Sequence, residues 1–432
     1  MASVVRISDI VLKMRKVLVS IGTLGIGGAE KQAVWLTNVL AADNFSVSLI
    51  TFAGGQREKD ISSKVNYKCL NYLETPTKST NSSQLLNEDS TKLVNIKSFV
   101  KNLINWQNPK RLFHVILKNF LEFTFRFVGK VVFQYYPGVK KFLKIWKFVN
   151  RVKPDVVITF LYHDTLIVGL ASLIQLKRPK LIVNRRSPSG YGDLNRSKLE
   201  LLLLRIVYRN SSIAVTNSLS NIQMGINDGI DSARFVQIDN FVEPVEKRNN
   251  VLENINLIKL VSVGNLISYK NHKLLLDALS KIPSHQRSFS LDIIGSGPEF
   301  FELNKFINDN NVNARILTKE YGARHLLKNY DAFVLVSQFE GSSNALLEAL
   351  ACGLPSLVSN TGSVPELIIL GAPLMICDIT NVMTISNALI DLRHNYNRYM
   401  ISSERFSNKV LLHYGEETIR SSWICEINKL TT

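Results

Sequence analysis

Residues 338–360, QFEGSSNALLEALACGLPSLVSN, contain two glutamates, Glu340 and Glu348, that are separated by seven residues. The apolar run DAFVLVS precedes them and predicts a strand that ends just before Glu340. Gly341 is followed by three residues that favour helix N-caps: Ser342, Ser343 and Asn344. A helix N-terminus after a glycine suits an anion such as a diphosphate. Glu348, two turns into this helix, is placed to accept hydrogen bonds from the hydroxyls of a ribose.

Isolated glutamates of this kind are usually a solvated helix cap and a surface charge, and that alternative applies to Glu340 and Glu348 as well. Two neighbouring features favour a functional site. The glutamates flank a Gly-Ser-Ser-Asn turn, and an apolar segment, ALACGLP, follows the second of them. We therefore interpret this segment as a binding site for a phosphorylated ligand.

The segment resembles the Glu-x7-Glu element of the retaining family-4 glycosyltransferases, which have the GT-B fold. The resemblance extends over most of the chain, through SVGNLISYKNHKLLLDAL, DIIGSGPE, GIGGAEKQ, GSVPELI and the final amphipathic helix. Only residues 75–152 lack a clear counterpart. The resemblance implies retaining transfer of a hexose or N-acetylhexosamine from a nucleoside-diphosphate sugar in bacterial envelope polysaccharide or lipopolysaccharide synthesis.

The resemblance also implies a role for each matching residue. Lys270 would neutralise the leaving diphosphate, Glu340 would hold hydroxyls of the donor sugar, and His163 would contact the sugar near the reacting carbon. His163 could equally be an ordinary polar residue at a strand end. The implied donor-binding residues are Glu348, Gly27, Gly28, Asn265, Gly341, Ser342, Ser343 and Asn344.

One position departs from the family pattern. Asn265 stands where the family usually has an arginine, and an amide supplies neither the charge nor the two-pronged hydrogen bonding of a guanidinium. Arg185 and Arg186 follow another predicted strand, and we expect them either to contact a phosphorylated acceptor or to form part of a solvated basic loop.

Several classes of site are excluded by motifs that the sequence lacks. Without an Asp-x-Asp pair we expect no metal, and Lys270 with helix dipoles would stabilise the diphosphate. The sequence has no GxxxxGK[ST] loop and no complete dinucleotide fingerprint. Its four scattered cysteines fit neither a disulfide framework nor a zinc site. The expected small-molecule partner is a nucleotide sugar, with UDP preferred to GDP, and no cofactor is predicted.

The elements that must position these residues alternate between strand and helix over 432 residues. They predict two doubly wound, Rossmann-like α/β domains that face a central cleft. We assign residues 1–245 to an acceptor-side domain and 255–405 to a nucleotide-sugar-binding domain. Residues 406–432 are predicted to form a C-terminal helix that returns to the first domain, and the polar run EKRNNVLENIN is the predicted linker.

The formal charge of +17 is concentrated in one basic, aromatic insert at about residues 75–152. Between Lys92 and Lys153 there are fourteen Lys or Arg residues and one acid. Cations mixed with Phe and Trp at helical spacing favour binding to an anionic membrane surface, and the alternative is that the aromatic residues are ordinary core positions of amphipathic helices. Nothing resembles a nucleic-acid-binding module, so we predict no nucleic-acid partner.

The sequence therefore predicts a peripheral enzyme on the inner, cytosolic face of the membrane, acting on a lipid-linked or envelope glycan. No signal peptide and no membrane-spanning run is predicted. Two alternatives remain at this stage. One is a non-catalytic, membrane-associated protein that binds nucleotide sugars, and the other is a phosphorylase or sucrose-type synthase with the same fold.

Overall fold

We obtained a computed structural model that describes residues 14–71, 139–186, 198–247, 257–286, 288–318 and 323–431. Most of the predicted basic insert, including the polar segment 75–90, lies outside the described residues. The same holds for most of the predicted linker and for the loop 187–197.

The first domain is one parallel sheet with helices on both faces. Its elements in chain order are β1 (Lys16–Ile21), α1 (Gly28–Ala42), β2 (Ser46–Thr51), β3 (Asn66–Cys69), α2 (Val139–Val152), β4 (Val156–Phe160), α3 (Leu161–Leu173), β5 (Lys180–Arg185), α4 (Lys198–Asn210), β6 (Ile213–Thr216), α5 (Leu219–Asn227) and β7 (Phe235–Gln237). The strand order is β3-β2-β1-β4-β5-β6-β7. Val17 of β1 is in register with Val47 of β2 and Val156 of β4.

The second domain repeats this plan. It contains β8 (Ile258–Val263), α6 (His272–Lys281), β9 (Phe289–Ile294), α7 (Phe300–Asp309), β10 (Ala314–Leu317), β11 (Ala332–Leu335), α8 (Asn344–Cys352), β12 (Ser356–Ser359), α9 (Val364–Ile369), β13 (Leu374–Cys377), α10 (Val382–His394), α11 (Tyr396–Tyr414) and α12 (Glu416–Thr431). Its parallel sheet has the order β10-β9-β8-β11-β12-β13. Short 3-10 turns cover Gln56–Asp60, Ser232–Arg234, Ser268–Lys270, Ser284–Gln286 and Ala323–Asn329.

These strands are buried because helices cover both faces of each sheet. Several strands are therefore mainly apolar along their whole length, as AFVL and VVITF are, and every residue of these two strands is buried. Each sheet has one apolar cluster on either face. The fold class predicted from the sequence, two Rossmann-like domains with a returning C-terminal helix, is confirmed.

The returning helix is α12. Its Ile419, Trp423 and Ile427 are buried in the core of the first domain, with Trp423 fully inaccessible to solvent. The sequence placed its start at residue 406, but residues up to Tyr414 belong to α11, whose Phe406 and Val410 pack in the second domain. A single amphipathic pattern runs through both helices, and only the break at Gly415 separates them.

The chain crosses between the domains twice, at neighbouring points. Phe241 packs in the first domain and Val242 in the second, so the first crossing comes before the predicted linker. The second crossing follows Tyr414, whose carbonyl accepts a hydrogen bond from the backbone N–H of Val242 at 2.8 Å. The hinge between the domains is thus two adjoining backbone segments.

The apolar residues of α2 show, for one part of the basic insert, whether its apolar side chains belong to the core or are exposed. Phe142, Ile145 and Val149 are buried in the first-domain core, while Lys147 and Arg151 are exposed. For this described part of the insert, the apolar face is a core face. Phe120, Phe123 and Phe127 lie outside the described residues.

Candidate functional site

The cleft lies where parallel-sheet folds bind ligands, beyond the carboxyl ends of strands at the point where strand order reverses. In the first sheet that point is between β1 and β4, and in the second it is between β8 and β11. The segments that directly follow these four strands contain Gly27 and Gly28, His163, Lys270, and Glu340, respectively. The two halves of the predicted site therefore meet across the cleft.

Lys270 and Glu340 form a close ion pair on the second-domain side. Lys270 Nζ lies 2.5 Å from Glu340 Oε1, and the two side chains are 14% and 12% exposed. The hydroxyl of Ser337 donates to the same carboxylate oxygen at 2.8 Å. The ammonium group is placed at the mouth of the cleft by the 3-10 turn Ser268–Lys270, which ends at Asn271 in a left-handed conformation. Two residues that are 70 positions apart in sequence thus form one polar centre.

The N-terminus of α8 faces the same centre. Ser343 is the N-cap, and its hydroxyl accepts a hydrogen bond from the backbone N–H of Leu346. Gly353 ends the helix with φ of 83°, a left-handed conformation that glycine adopts without strain. Glu348 lies on the second turn with its side chain 14% exposed. Glu340 therefore lies just before the start of α8 and Glu348 on its second turn.

The glycine loop of the first domain approaches this helix end closely. Asn344 Nδ2 donates to the carbonyl of Gly28 at 3.2 Å. A Cβ atom on Gly28 would lie 2.5 Å from Asn344 Nδ2, and one on Gly27 would lie 2.0 Å from the carboxylate of Glu30. Gly341 is equally confined, because its Cβ would lie 2.5 Å from the carbonyl oxygen of Arg186. The absence of side chains at Gly28 and Gly341 is what allows the two domains to meet, whereas Gly27 is confined within its own domain.

Polar residues that the sequence analysis did not identify connect the domains. Asn344 Oδ1 accepts hydrogen bonds from Asn240 Nδ2 at 2.7 Å and from Gln32 Nε2 at 3.3 Å. Glu366 of α9 accepts from the backbone N–H of Leu219, at the start of α5, at 2.6 Å. No local sequence signal marks these residues, since each pairs with a partner more than 100 positions away.

Lys31 is another residue that the sequence analysis did not identify, and it forms an ion pair with Glu348 of the second domain. Its Nζ atom lies 2.6 Å from Glu348 Oε1 and 3.9 Å from Glu243 Oε1. Its side chain is only 11% exposed. Glu243 also pairs with Arg324 of the second domain. The one available signal was the position of Lys31 directly after the glycine loop, in GIGGAEKQ.

His163 is exposed at the carboxyl end of β4, where the strand turns abruptly into α3. Leu161 at this turn has φ of 64°, which costs a residue with a Cβ about 1–3 kcal/mol and is typical of functional sites. His163 packs edge-on against Tyr162, with 5.1 Å between the ring centroids. Its predicted contact with the sugar stays a prediction.

Asp164 is the buried neighbour of His163. It accepts a hydrogen bond from the Ser20 hydroxyl at 2.5 Å and another from the backbone N–H of Gly22. Burial raises the pKa of this carboxyl to about 8, because the hydrogen bonds only partly offset the loss of water. Asp164 therefore ties the start of the glycine loop to the turn that carries His163.

Arg185 and Arg186 are both buried. Arg185 forms an ion pair with Asp228 at 2.5 Å and contacts the hydroxyl of Tyr208, so it would have to leave these partners to reach an acceptor. Arg186 donates to the side-chain oxygens of Asn184 and Asn240 and lies over the ring of Phe160. Burial lowers the pKa of Arg186 to about 9. Acceptor contacts of both residues stay predictions.

Asn265 is exposed at the end of β8, on the same loop as Lys270. Among the described residues, no group of three or more His, Cys, Asp or Glu side chains is arranged to hold a metal ion. All four cysteines are free thiols. None of the described helices is both long and apolar enough to cross a bilayer.

Comparison with known proteins agrees with this fold. Residues 245–409 match the family model of group 1 glycosyl transferases, which covers the second domain with both glutamates and Lys270. Anabaena HepE, solved with UDP and glucose, superposes with a TM-score of 0.70 at 15% identity, over 96% of this chain and 100% of HepE. The fold is GT-B. The apo lipopolysaccharide outer core galactosyltransferase WaaB gives 0.60 at 15% identity, over 96% and 99% of the two chains.

Curated relatives match a smaller part of the chain. An uncharacterized glycosyltransferase of Methanocaldococcus jannaschii is 25% identical over 252 residues, which cover 53% of this chain and 61% of the relative. The N-acetylgalactosamine-N,N'-diacetylbacillosaminyl-diphospho-undecaprenol 4-alpha-N-acetylgalactosaminyltransferase of Campylobacter jejuni is 26% identical over 217 residues, 49% of this chain and 59% of the relative. The chain thus spans little more than half the length of these relatives.

Proposed function

We propose that this protein is a glycosyltransferase that transfers a hexose or N-acetylhexosamine from a nucleoside-diphosphate sugar, with UDP the favoured nucleotide. The observation that carries the proposal is the centre formed by Lys270, Glu340 and the start of α8, opposite the glycine loop. A helix N-terminus and a lysine suit a diphosphate, and the two carboxylates suit the hydroxyls of a sugar and a ribose. The match of the second domain to group 1 glycosyl transferases supports the same reaction.

In the proposed reaction, Lys270 stabilises the charge that develops on the departing diphosphate. Before that step, when the donor binds, Glu340 exchanges its contact with Lys270 for hydroxyls of the donor sugar. We propose retention, with the acceptor attacking from the face that the nucleoside diphosphate leaves and a phosphate oxygen taking its proton. We propose that this chemistry depends on positioning and on preformed positive potential and needs no metal.

We propose a lipid-linked or envelope glycan as the acceptor, at the cytosolic face of the membrane. WaaB is named for the lipopolysaccharide outer core, and the Campylobacter relative for a diphospho-undecaprenol-linked sugar. The exposed cations of α2 adjoin a polar cavity of about 400 Å³ that is lined by Lys16, Lys68 and Arg151. These cations would meet anionic lipid headgroups.

Thermal unfolding with UDP, GDP and ADP, each with and without divalent metal, tests the donor site. One of the three nucleotides is expected to raise the melting temperature without metal, because a ligand that binds only the folded state stabilises it. Glu348→Ala should abolish this shift, since the variant lacks the proposed ribose contact. Glu302→Ala, an exposed glutamate in α7, is the matched control and should keep it.

Absence of a shift with all three nucleotides at millimolar concentration would contradict the proposed donor site. Turnover of the corresponding nucleotide sugar then separates an enzyme from a non-catalytic binding protein. Glu340→Ala should remove turnover in an enzyme. A wild-type protein that binds the nucleotide but releases no sugar to any acceptor or to water would be the binding protein.

A further inference from the structure

The second domain by itself offers a diphosphate little net positive charge. Lys270 is already neutralised by Glu340 at 2.5 Å, and Asn265 on the same loop is uncharged. Glu348 adds a further negative charge on the second turn of α8. A donor whose phosphates both carry negative charge needs an additional cation near this point.

Lys31 of the first domain is such a cation, and it lies at the right place. It is on the first turn of α1, and the first residue of that helix, Gly28, contacts Asn344 at the start of α8. Two helix N-termini therefore approach each other across the cleft. Both ends favour an anion between them, and a partly buried lysine on the first turn of a helix is disfavoured unless an anion lies beside it. In this structure that anion is Glu348, whose Oε1 lies 2.6 Å from Lys31 Nζ.

We propose that Lys31 is a donor-binding residue that exchanges its ion pair with Glu348 for a contact with the diphosphate when the nucleotide sugar binds. The inference rests on the proposed function and adds a residue from the first domain to its donor site. The hydroxyls of the ribose replace Lys31 as the partners of Glu348. The released ammonium group then has the phosphates as its nearest anions, and the first domain supplies charge that Asn265 does not.

This exchange predicts which part of the ligand depends on Lys31 for its affinity. A charge-assisted hydrogen bond to phosphate should contribute roughly tenfold or more to affinity. The nucleoside, which carries no phosphate, gains nothing from the lysine and must even displace it from Glu348. Loss of Lys31 should therefore weaken the binding of diphosphate and leave the binding of nucleoside unchanged or stronger.

The experiment measures, by titration calorimetry, the affinities of nucleoside, nucleoside monophosphate and nucleoside diphosphate for three proteins. These are wild type, Lys31→Met and Lys31→Arg. Uridine, UMP and UDP are used, or the guanosine or adenosine series if wild type prefers GDP or ADP. We expect Lys31→Met to lower the ratio of diphosphate to nucleoside affinity at least tenfold and Lys31→Arg to retain most of it. Lys64→Met removes an exposed lysine before β3, far from the cleft, and should behave as wild type.

Two results would overturn the inference. If Lys31→Met weakens all three ligands by the same factor, Lys31 acts only by holding the domains together. If it leaves the diphosphate affinity unchanged, Lys31 does not touch the phosphates. Both results leave the proposed donor site intact, because wild type still binds the nucleotide. Failure of wild type to bind any of the nucleotides would instead overturn the proposed function, and the role of Lys31 with it.

Discussion

Charged side chains in the cleft are largely paired with one another rather than with water. Three ion pairs form there: Lys270 with Glu340, Lys31 with Glu348, and Arg324 with Glu243. Each of these pairs is partly buried, so an unpaired member would carry a desolvation cost. A ligand that displaces one member must offer the other a new partner. The site is thus suited to a ligand with both hydroxyls and negative charge, as a nucleotide sugar has.

Asp164 should make stability depend on pH. Its folded-state pKa is about 8, whereas an unfolded aspartate has a pKa of 3.8, so folding takes up a proton between these values. The contribution of this group is fully present below pH 3.8 and is lost as pH rises towards 8, by up to about 1.4 kcal/mol per pH unit. Asp164→Asn should therefore lose less stability than wild type between pH 5 and pH 8 in denaturant unfolding.

Ser20→Ala, which removes the hydroxyl donor but keeps the carboxyl, is the control for that measurement. It should keep the wild-type direction of pH dependence, since Asp164 stays buried. Parallel curves for wild type and Asp164→Asn would contradict the prediction and would mean that the hydrogen bonds from Ser20 and Gly22 keep the carboxyl ionised.

Residues with a local signature could be predicted from the sequence, and residues defined by distant contacts could not. Glu340, Glu348 and the turn between them lie within one strand-loop-helix unit. Their relative positions therefore follow from the local sequence pattern. Lys31 and Asn240 have no such pattern, because their partners are 317 and 104 positions away. Arg185 is the last residue of β5, one position earlier than the sequence predicted, and its pairing with Asp228 depends on tertiary structure.

At the scale of elements, the starts of α1 and α8 determine how closely the domains approach. Glycine is required at Gly341 because the nearest atom to an added Cβ belongs to the backbone of Arg186, which cannot rotate away. The helix boundaries around these points were predictable from caps and glycines. The break between α11 and α12 lies at Gly415, and although glycine commonly ends helices, apolar residues at helical spacing on both sides make the two helices look like one.

Gly341→Ala should separate the domains without unfolding either one. The added methyl group would lie 2.5 Å from the carbonyl oxygen of Arg186 and 2.9 Å from Asn221 Nδ2, so closure of the cleft is obstructed. A displacement of about 1 Å can reduce turnover on the order of 100-fold. We expect a loss of this size in turnover of the nucleotide sugar, with a nearly unchanged melting temperature.

Gly25→Ala is the matched control in the glycine loop, because its nearest neighbour would be Thr23 Oγ1 at 3.8 Å, an ordinary contact. It should retain wild-type turnover. Full activity of Gly341→Ala would show that the close contact is not needed for the reaction.

At the scale of the whole molecule, charge is distributed unevenly. The formal charge is +17, and the sequence from Lys92 to Lys153 holds most of the excess. In α2, the described end of this segment, Lys144, Lys147 and Arg151 are exposed to solvent while Phe142, Ile145 and Val149 pack in the core. Attachment to a membrane through this described part would therefore be mainly electrostatic and sensitive to salt.

Lys147→Glu with Arg151→Glu should weaken sedimentation with vesicles that contain phosphatidylserine, because each exchange replaces attraction by repulsion at the lipid surface. Both wild type and variant should bind neutral phosphatidylcholine vesicles weakly, and about 0.5 M salt should remove the difference between them. Lys281→Glu with Lys305→Glu makes the same change in net charge on exposed positions of the second domain and should bind as wild type. Equal loss in the two double variants would mean that only total charge matters.

The return of α12 to the first domain also concerns how the protein is made. Trp423 and its neighbours complete a core whose first strand begins at Lys16, so the two parts of that core are separated by nearly the entire chain. During synthesis from the N-terminus, the second domain can form its sheet before α12 has left the ribosome. Until α12 packs, the apolar surface of the first domain that it covers stays exposed to solvent. We therefore expect chaperones to protect this half of the nascent chain.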